Sequence, residues 1–368
     1  MATIDRKGNV GQLFDKRAET DIYVISLQEI VPLDIDHILF DFSGNIECTR
    51  LEWTRKMLEY ANANPDGANV PFEVLSSRAI VGTFLLVLIK STHRSHVQHK
   101  QDQDINLYSF LGGLLSLGNK AACVHRFQVY GKWFCLASVH LAAHRPMVKE
   151  RIEHVRAVLH QTCFVMAPHR FEDHDFCFFV GDMNWRIVES FDAERGYRLA
   201  DDGSFLELAE FDQLNDLRAK KTGVVFRDWC EAPLSFTPSY KLDLKAKVLG
   251  GQTHSYKVDK SSLEKYVPAW TDRVLYKCAF ASCVRVEKYT SIVLEDPVSD
   301  HFPVKFRASL NLPFFEKERK LMDEEMERLK KTGAGTLAKD AFGDDSGMGS
   351  LMCGTSKRVE ERLHVGCK

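Results

Sequence analysis

Asp175–Asn184, DFCFFVGDMN, runs through five consecutive apolar residues and ends on a polar turn. A stretch this short, rich in aromatics and closed by glycine, reads as a buried strand whose last residues deliver polar groups. If extension persists past Gly181, residues i and i+2 face the same side, which sets the Asp182 carboxylate beside the Asn184 amide. A base and a neutral hydrogen-bond donor then share one cleft. Taken alone, the block reads equally as a turn in which Gly181 bends the chain and Asp182 or Asn184 caps the next segment.

The same signature recurs. Asp21–Leu27 runs into Gln28-Glu29, and Trp133–Val139 runs into His140. Further strands are expected at Phe72–Ser77, Val81–Ile89, Ala121–Tyr130, Ala269–Tyr276, Ser282–Tyr289 and Phe302–Leu310. Helical periodicity lies between them at Asn45–Asn62 and Pro146–Gln161, the latter with Val148, Ile152, Val155, Val158 and Leu159 on one face. Strands and helices alternate, so the sequence predicts a layered α/β architecture with two packed sheets. Thr92–Gln103, THRSHVQHKQDQ, is polar and reads as a solvated loop; its His93, His96 and His99 do not stand at metal-ligand spacing. The charged run Pro313–Lys331 reads as a solvated helix with i,i+4 ion pairs. Gly333–Lys368 is poor in large apolar residues and reads as a disordered tail. The expected division is therefore 1–312 as a catalytic domain and 313–368 as charged helix and tail.

The 368 residues carry 49 basic and 51 acidic side chains, with 45% hydrophobic and 27% charged residues, which excludes a disordered, collagenous or coiled-coil chain. Near-neutral net charge argues against a broad nucleic-acid-binding surface and leaves room for a local basic pocket. Ten cysteines lie scattered with no C-x-x-C pair, as small core residues of a reducing compartment would. The longest apolar stretch, Ala79–Ile89, falls short of the ~18 residues of a membrane span. The N-terminus lacks the apolar block of a secretory signal, so a cytoplasmic protein is expected.

Several further groups suit phosphate-ester hydrolysis. Ser299-Asp300-His301 joins a carboxylate to an imidazole, His140 closes an apolar strand, and Glu29 offers an oxygen ligand to a hard cation such as Mg²⁺. Tyr240-Lys241 follows Pro238, while Lys265, Asp272 and Arg273 flank a rigid Pro-Ala-Trp; lysine and arginine clamp phosphate oxygens, and Lys120 adds another cation. Each of these residues alone is more often a solvated charge or a satisfied rim residue. Their gathering at strand ends weakens that reading.

In their order along the chain these blocks resemble the inositol polyphosphate 5-phosphatases of the endonuclease/exonuclease/phosphatase group. The resemblance runs through DIYVISLQEIVPL, SLGNKAA, SVHLAAH, FVGDMNWRI, SFTPSYKLD, VPAWTDRVLYK and SDHFPV, over roughly residues 8 to 310. It implies a two-sheet β-sandwich flanked by helices, with the site at one end. It implies Mg²⁺ held by Glu29, with Asn9 in a second metal-side position. It makes Asp182 the group that orients or deprotonates the attacking water and Asn184 a donor to the scissile phosphate. His301 would stand beside that phosphate with Asp272 as its partner, Asp300 in the metal and water network, and His140 on the transferring oxygens. Tyr240, Lys241 and Lys265 would hold the neighbouring 4-phosphate, supported by Arg273. The implied reaction is removal of the 5-phosphate from phosphoinositides or soluble inositol polyphosphates by a monomer that touches the cytoplasmic membrane leaflet transiently, as a peripheral protein.

The pattern is also broken in places. Residues 1–7 are too few and too polar for a buried strand, so either an abbreviated first strand or a truncated domain is expected. Trp185, Ile152, Val267 and Thr271 stand where the family usually has Tyr, Asn, a basic residue and Cys. Two other readings are compatible with the sequence. One is a nuclease or sphingomyelinase of the same group, disfavoured by the Tyr-Lys and Pro-Ala-Trp blocks. The other is a catalytically impaired phosphoinositide-binding scaffold.

Overall fold

Thr83–Lys90, TFLLVLIK, is apolar at almost every position because it is buried on both faces. In the computed structural model it is the third strand (β3), preceded by β1 (Ile22–Leu27), helix α1 (Phe42–Asn62) and β2 (Phe72–Ile80). The structure describes residues 13–14, 20–31, 42–63, 70–111, 114–220, 225–245, 255–258, 266–294 and 299–331. Antiparallel pairing on either side of β3 gives a three-stranded sheet in the order β1-β3-β2. Val81 and Gly82, both at positive φ, make the two-residue turn from β2 into β3, the backbone that a tight twisted hairpin requires. The strand expected to begin at Val81 therefore begins at Thr83.

The second sheet has five strands in the order β4-β5-β6-β7-β8, formed by β4 (Val97–Leu111), β5 (Leu114–Val129), β6 (Lys132–His140), β7 (Phe176–Asp182) and β8 (Asp272–Cys278). β6 and β7 run parallel, joined by α2 (Val148–Gln161). The two sheets face each other. Ser26 Oγ lies 2.6 Å from Ser138 Oγ, Ser138 Oγ donates to the Phe84 carbonyl at 2.9 Å, and the Cys123 thiol donates to the Thr83 carbonyl. α1 covers the outer face of the first sheet, setting Trp53, Met57 and Ala61 against Phe84, Leu86 and Leu88. α2 covers the second sheet, where Val155 and Val158 join Ile105, Leu107, Val124 and Val139. Each large apolar side chain buried in this way contributes roughly 1.5–3 kcal/mol. The expected two-sheet sandwich flanked by helices is the fold observed.

Three short helices follow β7: α3 (Ala193–Asp201), α4 (Phe205–Ala209) and α5 (Gln213–Ala219). β9 (Val284–Ser291) and β10 (Val304–Leu310) pair as a two-stranded sheet ahead of α6 (Leu312–Lys331). The chain divides into two units, the larger carrying both facing sheets, the smaller made of Cys278–Glu287 and the chain from Ala308 onward. In the smaller unit Phe315 of α6 is buried and meets the Phe280 ring edge-on at 5.2 Å, while Lys320–Glu324 and Arg328–Glu325 pair along the helix. In this division Cys278–Glu287 belongs with the helix.

The polar segment expected as a loop at 92–103 instead forms a 3₁₀ turn, Ser91–His96, and the start of β4. β4 is an edge strand whose polar residues are satisfied: Asp102 accepts from Ser76 Oγ and pairs with His125, both at 2.7 Å, and Asp104 pairs with Arg78. Residues 1–7, where the first strand is expected to be abbreviated or missing, the tail from Gly333, Asn9 and Lys265 lie outside the described residues. No helix among the described residues is long and apolar enough to cross a membrane.

Candidate active site

The site gathers where β1, β6 and β7 end and β8 begins. In the parallel register His140 is the partner of Asp182, and the Leu141 amide donates to the Asp182 carbonyl at 2.9 Å. On the other side the Met183 amide donates to the Thr271 carbonyl at 2.8 Å, bringing the start of β8 alongside. Gly181 makes this approach possible. Its φ is 127°, and a Cβ there would sit 2.3 Å from the Val139 carbonyl oxygen and 2.9 Å from the side-chain nitrogen of Gln28, next to Glu29.

Asp182 is buried, and its carboxylate receives the Asn184 backbone N–H on Oδ1 at 2.9 Å and the Asn184 side-chain amide on Oδ2 at 3.0 Å. Both sequence readings of GDMN hold together, since Asp182 caps the turn and shares the cleft with Asn184. Asn184 sits at positive φ and spends its second amide hydrogen on the Leu141 carbonyl at 3.0 Å. It therefore orients Asp182, and both of its amide hydrogens are engaged. Burial, reinforced by the nearby Asp272 charge, pushes the Asp182 carboxyl up to about 6.

His140 Nε2 lies 3.4 Å from Asp182 Oδ2 and accepts from the Lys120 ammonium at 2.5 Å. Burial, then the adjacent Lys120 charge, holds His140 well below the usual imidazole range. Burial also draws Lys120 down to about 8, against the opposing charges of Asp182 and Glu29. Glu29 is exposed where β1 ends, at a φ of 56°.

The third part of the site is the Asp272–His301 pair. His301 Nδ1 donates to Asp272 Oδ2 at 2.8 Å, and the same oxygen accepts from Ser239 Oγ at 2.7 Å and Thr271 Oγ1 at 2.8 Å. Burial alone would lower His301, but the Asp272 carboxylate outweighs it and lifts the imidazole to about 9. Asp272 stays below the usual carboxylate range despite its own burial, held there by His301 and the two hydroxyls. Tyr240 bridges Ala269 and His301 through its backbone, with its ring 4.6 Å from the His301 ring. Asp300 serves here as the partner of Lys241, at 2.6 Å.

Arg273 is placed elsewhere. Its fully buried guanidinium grips Glu231 with two bonds, at 2.6 and 2.7 Å, and Asp212 with a third at 3.0 Å, which turns it away from the Tyr240–Lys241 pocket. Successive residues of a strand point to opposite faces, so Asp272 at the site requires Arg273 behind it. Ser239, Thr271 and Arg186 take up positions to which the sequence reading assigned no role. Arg186 donates to both the backbone carbonyl and Oδ1 of Asn184 and lies 4.0 Å over the Tyr240 ring. The i, i+2 spacing that paired Asp182 with Asn184 continues to Arg186 and is the signal that marks it.

Residues 2–307 match the model of Endonuclease/Exonuclease/phosphatase family 2. Synaptojanin-2 of Homo sapiens is 29% identical over 262 residues, 71% of this chain and 16% of that protein. Type IV inositol polyphosphate 5-phosphatase 9 of Arabidopsis thaliana is 27% identical over 306 residues, 77% of this chain and 69% of that protein. The chain thus spans only a small part of some curated relatives and most of others. Among solved structures, the inositol polyphosphate 5-phosphatase domain of SPsynaptojanin, in complex with inositol (1,4)-bisphosphate and calcium ion, superposes with a TM-score of 0.63 at 26% identity, over 88% of this chain and 85% of that one. Domain match, strand-end constellation and fold agree: the chain belongs to the endonuclease/exonuclease/phosphatase family, among the inositol polyphosphate 5-phosphatases.

Proposed function

We propose that this protein is a Mg²⁺-dependent phosphomonoesterase that removes the 5-phosphate from phosphatidylinositol 4,5-bisphosphate, the 3,4,5-trisphosphate or soluble inositol polyphosphates. The observation that carries the reading is a buried carboxylate of raised pKa, Asp182, flanked by Lys120–His140 on one side and by the charged Asp272–His301 pair on the other. The ligands of the SPsynaptojanin domain, an inositol bisphosphate and a divalent ion, support it.

Asp182 accepts the proton of the attacking water; a pKa of about 6 leaves it unprotonated at neutral pH yet basic enough to act. Asn184, itself tied by Arg186, keeps that carboxylate in one orientation. His301, protonated at neutral pH, and Lys120 place positive charge where the phosphoryl oxygens gain negative charge. Tyr240 and Lys241 hold the neighbouring phosphate. Glu29 fits a hard cation: it is an exposed oxygen donor, and Mg²⁺ takes one or two carboxylates with water and substrate phosphate rather than a full protein cage. When bound, the ion would supply charge neutralisation on the phosphate. On this reading the enzyme works in the cytoplasm as a monomer, meets the membrane through its lipid substrate, and binds no nucleic acid.

The test is phosphate release from vesicles containing phosphatidylinositol 4,5-bisphosphate, with Mg²⁺ or with chelator, for the wild type and Asp182→Asn. Release should require the metal and fall by about 10²–10⁴ in kcat in the variant. Release indifferent to both, or confined to other ring positions, overturns the reading.

A further inference from the structure

Outward from the Asp182–Asn184 pair the structure strings three cations along two aromatic rings. Arg186, bonded to Asn184, lies 4.0 Å over Tyr240; Lys241 lies 5.1 Å over Tyr240 and 5.3 Å over Tyr266; Lys257 lies 5.3 Å over the same Tyr266 ring. Lys241 and Lys257 are brought together by the backbone. Leu242 pairs with Tyr256, the Asp243 amide donates to the Ser255 carbonyl, and the Lys257 amide donates to the Lys241 carbonyl at 2.9 Å, which makes the two lysines cross-strand neighbours. Tyr197 donates its hydroxyl to the Lys257 carbonyl at 3.0 Å, pinning the segment from the other side.

Like charges set opposite each other across paired strands are destabilising. Here the charges are only partly compensated. Asp300 pairs with Lys241 and the Asp182 charge faces Arg186, but no carboxylate pairs with Lys257 among the described residues. A scaffold that holds Lys257 uncompensated beside a second lysine at the mouth of a phosphate site is complementary to an additional anion. Lys257 is the outermost of the three and half-buried, so its ammonium serves a group farther from the reacting centre than the one at Tyr240–Lys241.

We propose that Lys257 is a specificity-determining residue that contacts the 3-phosphate of the ring, beyond the scissile phosphate and the one held by Tyr240–Lys241, so that the site favours the more highly phosphorylated substrate. The inference deepens the phosphatase reading and rests on it for the reaction, but not for binding. The experiment therefore has two arms. In the first, hydrolysis of inositol 1,4,5-trisphosphate and inositol 1,3,4,5-tetrakisphosphate is compared for the wild type, Lys257→Met and Lys257→Arg. Lys257→Met should raise KM for the tetrakisphosphate roughly fivefold, leave its kcat and the trisphosphate KM unchanged, and be rescued by arginine. In the second, titration calorimetry in chelator measures binding of the same two compounds without turnover, and the tetrakisphosphate alone should bind roughly fivefold more weakly to Lys257→Met. Equal weakening for both compounds, or none for either, overturns the proposal. Absence of turnover in the wild type with selective weakening in the second arm would sink the phosphatase reading and leave the role of Lys257 standing.

Discussion

At Asp182 burial and the neighbouring Asp272 charge act together to disfavour ionisation, while the positive charges of His301, Lys120 and Arg186 limit how far they succeed. At His301 the balance runs the other way, because Asp272 outweighs burial. Two groups within one cleft are thereby driven apart in pKa, which is how a site holds an unprotonated base and a protonated acid at the same pH. The signs of the two shifts set the expected profile of kcat/KM. Activity rises as Asp182 loses its proton through about pH 6, and falls as His301 loses its proton through about pH 9. Replacing Asp272 by Asn removes the carboxylate that lifts His301 and also the like charge that raises Asp182. Both limbs should then move to lower pH, the alkaline one by about one unit or more. A full pH–rate profile of Asp272→Asn checks this; an alkaline limb left in place would assign it to another group.

Among the elements, those that deliver catalytic groups were the most legible in the sequence, and for a physical reason. β6 and β7 lie inside their sheet and are largely buried, so their apolar runs are nearly continuous, and the first polar residue after each run marks the rim of the core. β1, at a sheet edge, is half-buried but keeps a mostly apolar run. β4 was illegible for the converse reason. It lies at a sheet edge, and in its first half Asp102 and Asp104 are satisfied by Ser76, His125 and Arg78 rather than by apolar packing, so no hydrophobic period can be read before Ile105 and Leu107. α3 and α5 are too short for periodicity to show; their signals are the caps Asp192 and Asp212, whose carboxylates receive the first-turn amides. Lys257 was illegible because only the pairing with Lys241 brings it to the site. The element that tolerates least is the end of β7. A methyl at Gly181 meets the Val139 carbonyl, which is backbone of the adjoining strand and cannot swing aside. Gly181→Ala should cost about 2–4 kcal/mol in urea unfolding and abolish turnover by parting His140 from Asp182. A folded, fully active variant would show that the register of β6 and β7 can slip without harm.

On the scale of the whole molecule, the same strand that carries Asp272 into the site carries Arg273 into the interior, where it joins β8 to Asp212, the cap of α5, and to Glu231. The resemblance to the family placed Arg273 beside the substrate; strand alternation places it in the framework, and the two roles make opposite demands on a mutant. Removing the guanidinium strands two buried carboxylates, so Arg273→Met should lose about 3–5 kcal/mol of stability. The pH dependence has a definite sign. Burial already raises the Asp212 carboxyl, and without the Arg273 charge that opposes it its folded-state pKa stands further above the unfolded one, so the deficit is full at neutral and alkaline pH and shrinks as acid protonates Asp212. Lys241→Met is the counterpart, since its pair with Asp300 is partly solvated and contributes at most about 1 kcal/mol. It should leave the melting temperature nearly unchanged and raise KM for the phosphorylated substrate. Thermal unfolding and steady-state kinetics of the two variants side by side separate the roles: an Arg273→Met protein as stable as the wild type but weak in KM would return Arg273 to the anionic pocket.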